Sequence, residues 1–158
     1  MTHADVLRIG CAAGFSGDRT DAALPIVQDL IAGGKPSVLM FETLAERTLA
    51  LAQLALRDDP HAGYEPLLDD LLRPVLALCL THGIRIVSNF GAANPRGAAR
   101  RIFELAAELG TRKPTIAVVE GDDLRGDEYR PMLVQALGEK LPKERIVSVN
   151  AYIGAAPI

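Results

Sequence analysis

The feature that most constrains this chain is an alternation. Short β-rich apolar runs take turns with longer stretches of helical periodicity from one end to the other. Val6 to Cys11 is the first expected strand, closed by the glycine-rich turn Gly14-Phe15-Ser16-Gly17. Thr20 or Asp21 then stands where a side-chain cap would start a helix, and Leu24, Val27, Leu30 and Ile31 follow at 3- and 4-residue spacing. Gly33-Gly34 ends it, because glycine tolerates the left-handed conformation favoured at a helix terminus. Ser37 to Phe41 is the second strand, expected to be buried on both faces. An Ala/Leu-rich helix spans Leu44 to Arg57, and a loop covers Asp58 to Gly63. A helical stretch from about Glu65 to His82 must kink or break at Pro74, since proline lacks the backbone donor and clashes with the preceding turn.

Ile84 to Ser88 is the third expected strand, and Pro95 suits the first position of a helix reaching about Leu109. Thr115 to Val119 is the fourth strand, Asp127 to about Leu141 a helix, and Arg145 to Val149 the fifth strand. Strands separated by helices pair in parallel through right-handed crossovers. The expected fold is therefore α/β, three-layered and Rossmann-like, a mainly parallel sheet of about five strands flanked by helices. A length of 158 residues suits one domain. Asn150 to Ile158 has the look of a strand end and loop entering a further helix, so the expectation is the amino-terminal portion of a longer domain. An uncovered last strand favours self-association, and a homo-oligomer is expected.

Composition narrows the classes. An apolar share of 49% excludes intrinsic disorder. With 20 acidic against 17 basic residues, there is no electrostatic footprint for nucleic acid or an anionic membrane. No apolar run approaches the ~20 residues that span a bilayer. The first residues, Met-Thr-His-Ala-Asp, lack the basic flank of a signal peptide, and a cytoplasmic location is expected. Cys11 and Cys79 have no Cys-x-x-Cys partner, so both are expected as buried thiols rather than metal or redox groups.

Open α/β sheets bind ligands outside the carboxyl ends of their strands. Polar groups gather at those ends here: Ser16, Asp18, Arg19 and Asp21 after the first, Glu42 and Thr43 after the second, Asn89 and Asn94 after the third. Glu120, Asp122 and Asp123 follow the fourth run, and Asn150 and Tyr152 the fifth. Each alone can be a cap or turn residue. As a set they define a candidate rim. Asp18, Glu42, Glu120 and Asp122 are its candidate acid/base residues. Gly14, Ser16, Gly17, Arg19, Asn89, Asn94, Asp123 and Asn150 are its candidate ligand contacts, with the Gly14–Gly17 turn a candidate anion cradle. Glu120, Asp122 and Asp123, with Glu42 and an asparagine, are also an oxygen set suited to a hard divalent cation.

Other chemistries lose support. A P-loop needs Gly-Lys-Ser/Thr, and no lysine occurs before Lys35. Gly10, Gly14 and Gly17 miss the Gly-x-Gly-x-x-Gly spacing of dinucleotide sites. His3, His61 and His82 lie near no candidate nucleophile, so acid/base work would fall to carboxylates.

Five ordered segments carry a family resemblance: Gly10 to Arg19, Phe41 to Ala50, Ile84 to Pro95, Ala117 to Asp123 and Asn150 to Ile158. The sequence resembles the amino-terminal part of the acyclic terpene utilisation (AtuA-like) family. That resemblance implies a bacterial setting and breakdown of branched acyclic terpenoids such as citronellol and geraniol, in a longer parent protein. It brings no reaction, cofactor or site map. The expected function is a protein of terpenoid or branched acyl catabolism with a small-molecule site on the rim. A non-catalytic assembly or regulatory subunit, and a nucleotide or coenzyme A ester module, are the alternatives.

Overall fold

The computed structural model describes residues 6–138 and 146–156. The end of the fifth expected helix, Arg145, His3 and the last two residues lie outside that set.

Strand β1 (Arg8–Ala13), strand β2 (Ser37–Phe41) and strand β3 (Arg85–Ser88) form one parallel sheet in the order β1-β2-β3. The register sets Gly10 beside Leu39 and Leu39 beside Ile86 on one face. Ile9 beside Val38, and Met40 beside Val87, share the other face. Helix α1 (Ala23–Gly33) links β1 to β2, while helices α2 (Glu46–Asp58), α3 (Leu68–Leu72) and α4 (Leu76–His82) link β2 to β3. Helix α1 lies on β1, α4 lies on β3, and the two helices touch, so they cover the same face. Gly10 permits the close approach of α1: a Cβ there would collide with Ile26 Cγ2. Helix α5 (Pro95–Glu108) stacks on α3. Leu39, Phe41, Val27, Leu68, Leu72, Val75, Phe90 and Leu105 join one buried apolar cluster. Phe41 and Phe90 set their ring centroids 5.0 Å apart at a tilt of 42°.

Local chemistry explains most boundaries. Pro74 separates α3 from α4, as its missing donor requires. Gly34, at φ 59°, and Gly83, at φ 68°, take the left-handed conformation after α1 and α4. Pro95 opens α5 as expected, and the Asn94 side chain caps it by accepting from the Gly97 N–H at 2.9 Å. Helix α1 begins later than expected, after Ala22 and without a side-chain cap, because Arg19 holds Asp21 in a local ion pair instead.

The sheet is smaller than the sequence leads one to expect. Thr115–Val119 forms no strand, nor do Ile146–Val149; only an isolated antiparallel bridge joins Asp123 to Asn150. A strand is defined by its pairing, so β propensity alone builds none. The second of these runs is tied at both ends: the Ile146 carbonyl accepts from Arg57 at 2.6 Å and the Val149 carbonyl from the Leu124 N–H at 2.8 Å. Asp127–Tyr129 makes a 3-10 turn, and helix α6 (Arg130–Leu137) follows it. The sheet face opposite α1 and α4 is also less covered than expected. Met40 and Val38 are only half-buried, Ile9 is 68% exposed, and Cys11 is exposed rather than a core thiol. Cys79 is buried as expected, and burial pushes its thiol up to about 11. Among the described residues, no helix is long and apolar enough to cross a membrane.

Candidate functional site

The parallel sheet directs the ends of all three strands to one rim, and the chain leaving each end is polar. At the end of β2, Glu42 is half-buried. Its Oε1 accepts from the Leu44 N–H at 2.8 Å and from Asn89 Nδ2 at 2.8 Å. Asn89, just past β3, uses its Oδ1 to accept from the Thr43 N–H at 2.8 Å and from the Thr43 hydroxyl at 3.2 Å. Two residues 47 positions apart are thus clasped, and the rotamers of all three side chains are fixed by partners. The second carboxylate oxygen of Glu42 has no hydrogen-bond partner among the described residues. A carboxylate held by one oxygen leaves the other to accept a hydrogen bond or a proton from a ligand.

The first strand end adjoins this clasp, since the Glu42 N–H donates to the Ala13 carbonyl at 3.0 Å. Directly after Ala13, Asp18 closes the glycine turn by accepting from the Gly14 N–H at 2.9 Å and the Arg19 N–H at 2.7 Å. Those two amides hold its carboxyl below the usual carboxylate range. The turn spends the Gly14 amide on Asp18, which removes that donor from the expected anion cradle. Gly17 sits at φ 87° in this turn, with Ser16 half-buried before it. Arg19 faces Asp21 in an exposed ion pair.

The remaining expected site residues fall elsewhere. Asn94 is a structural cap: besides accepting from Gly97, its Nδ2 donates to the Ala62 carbonyl at 2.8 Å. Glu120 is exposed and bound by both ends of the Arg96 guanidinium, which holds its carboxyl low. Asp122 accepts from Asn150 Nδ2 at 3.0 Å. Asp123 is held low chiefly by Arg125, its ion-pair partner at 2.6 Å. With the fourth and fifth strands unformed, Glu120, Asp122, Asp123 and Asn150 do not stand at strand ends. The described residues hold no group of three or more His, Cys, Asp or Glu arranged for a metal, so the divalent-cation set is not assembled there.

Two residues escape a reading by strand ends. Gln53 on α2 is 1% exposed and lies against Asp123, whose carboxyl it helps to hold low, yet among the described residues neither atom of its amide reaches a partner in good hydrogen-bond geometry. A polar side chain on the apolar stripe of Leu49, Ala52 and Leu56 is the signal that marks it. Glu65 is 3% exposed; its Oε1 accepts from the Leu67 N–H and its own N–H donates to the Phe90 carbonyl, next to Asn89. Standing before a short helix, it reads in sequence as nothing more than a helix start.

The fold and the clasped rim define an α/β protein with polar side chains at the ends of its parallel strands. A family model, that of the acyclic terpene utilisation family protein AtuA, matches residues 7–158, and the chain belongs to that family. The family's description places its members in acyclic terpene utilisation. No curated protein and no solved structure matches the chain.

Proposed function

We propose that this protein binds an acyclic terpenoid, of the citronellol or geraniol type, or a branched acyl compound, at the carboxyl ends of β1, β2 and β3. The observation that carries the reading is the Glu42–Asn89–Thr43 clasp. It brings two expected site residues together at neighbouring strand ends and leaves one carboxylate oxygen unengaged. Glu42 is the proton acceptor of such a site, and Asn89 the positioning residue that orients it. Asp18 serves by shaping the adjoining turn. A Rossmann-like ancestry agrees with the parallel order β1-β2-β3 and its helical crossovers. A cytoplasmic, bacterial setting goes with the same proposal.

The test is Glu42→Gln in the full-length protein, alongside Asp122→Asn. Glu42→Gln keeps the shape, and its amide oxygen can still accept from the Leu44 N–H and Asn89 Nδ2, while an NH2 donor replaces the unengaged carboxylate oxygen. The expected outcome is loss of ligand binding and of growth on citronellol by Glu42→Gln, with an unchanged circular dichroism spectrum. Wild-type binding and growth in Glu42→Gln would sink the reading, whereas Asp122→Asn, outside the clasp, should retain both.

A second reading, an assembly or regulatory subunit of the same pathway, rests on the open sheet face with Ile9 at 68% exposure and Cys11 exposed beside half-buried Met40. Parallel sheets are ordinarily covered on both faces. A second copy of the chain would cover it as a homo-oligomer. Co-purification of a pathway enzyme that survives Glu42→Gln but fails with Ile9→Asp favours this reading.

A further inference from the structure

A pocket of about 160 Å³ lies where α2, the 3-10 turn and α6 meet Ile146. Its walls divide by chemistry. Arg57 from α2, Arg125 from the loop and Arg130 from the start of α6 supply guanidinium groups, while Leu133, Val134 and Ile146 supply an apolar side. Arg130, Leu133 and Val134 recur at helical spacing on one face of α6, so the helix presents charge and apolar surface to the same space. The arginines are not equivalent. Arg125 is paired with Asp123, and Arg57 spends its Nη2 on the Ile146 and Val147 carbonyls, which fixes it as part of the wall. Arg130 has no hydrogen bond or ion pair among the described residues and is exposed. Asp127, the one acid in the lining, has an interaction of its own.

We propose that this pocket binds a small carboxylate carrying a short aliphatic chain, with Arg130 and Arg57 on the carboxylate and Leu133, Val134 and Ile146 around the chain. A planar guanidinium matches a carboxylate with two parallel hydrogen bonds. The volume suits a ligand about the size of benzene, since an apolar cavity of ~150 Å³ accepts that molecule. None of these residues belongs to the Glu42–Asn89–Thr43 clasp, so the pocket is a second site, and its failure is separable from failure of the strand-end reading.

The experiment is a calorimetric titration of the full chain with 3-methylbutanoate, with 3-methylbutan-1-ol and inorganic phosphate as comparison probes. The expected result is saturable binding of the carboxylate, weaker by about tenfold or more for the neutral alcohol and for Arg130→Gln. Phosphate does not displace the carboxylate, and Glu42→Gln leaves its affinity unchanged. Because Arg130 is exposed and makes no structural contact, Arg130→Gln keeps the wild-type melting temperature. Absence of saturable binding, equal affinity in Arg130→Gln, or displacement by phosphate at equal concentration overturns the proposal; the last would mark an anion site with no selectivity for the aliphatic chain.

Discussion

Residues 8–110 and the described residues of the second region, 111–138 and 146–156, are built on different principles. In the first region, backbone ladders and a single apolar cluster join the three strands with α1, α3, α4 and α5, and the strand-end clasp sits on that rigid base. In the second, one antiparallel bridge at Asp123 and Asn150 is joined by side-chain ties: Arg96 to Glu120, Arg57 to the Ile146 carbonyl, Asn150 to Asp122, and the Tyr152 hydroxyl to Glu46. Its apolar side chains stay largely outside, with Val118, Val119, Met132, Leu137 and Ile153 all exposed. The comparison teaches where a binding site gains definition. Glu42 and Asn89 are oriented by a base that burial holds in place, whereas Glu120 and Asp123 are each neutralised by a local arginine.

The largest expected difference between the regions is in their response to truncation. Phe41 is fully buried against Phe90, so Phe41→Ala should destabilise the protein by about 3–5 kcal/mol, the usual range for an emptied aromatic core position. Leu137→Ala, in exposed α6, should change stability by no more than about 0.5 kcal/mol. Urea denaturation of the two variants checks the pair, and similar midpoints would break the contrast.

A smaller effect belongs to Asn94, which stitches the 60–62 loop to α5. Asn94→Ala removes the cap and leaves the Ala62 carbonyl without its donor, a loss of about 1–2 kcal/mol by thermal denaturation.

The mildest effect comes with acid. Hydrogen bonds from Arg101, then from Arg73, hold the Asp69 carboxyl below its ordinary range, and the same two arginines hold Glu108 low. The unfolded chain therefore binds more protons than the folded one in that range. Stability from this network is fully present above the ordinary carboxylate pKa of about 4 and falls away as pH drops through the depressed values. Denaturation midpoints measured from pH 5 to pH 2 should decline, and Asp69→Asn should flatten the slope.

The same division governs what could be read in advance. Helices announce themselves locally, through Pro95 at a start, Gly34 and Gly83 at ends, and Pro74 at the break between α3 and α4. The three strands of the first region were legible as well, to within two residues. Thr115–Val119 carries equally good β residues, yet forms no strand, because a strand exists only with a neighbour to pair with, and propensity does not supply one. Cys11 illustrates a related limit: which face of β1 it occupies, and whether that face is covered, depend on register and on elements far away in sequence. Strand-end logic named Glu42, Asn89 and Asp18, and the structure sets all three at the ends of β1, β2 and β3. It could not distinguish Asn94, a cap by every hydrogen bond it makes, from a ligand contact. It had no means of flagging Gln53, whose burial against Asp123 is a tertiary fact.

The central claim is that ligand docks on the rim at the ends of β1, β2 and β3. Hydrogen–deuterium exchange of the full-length protein with and without citronellol tests it most directly. The account predicts slowed exchange at Gly14–Arg19, Thr43–Ala45 and Asn89–Ala92, lost in Glu42→Gln. Protection absent from all three segments, or confined to the open sheet face around Ile9 and Cys11, would contradict it.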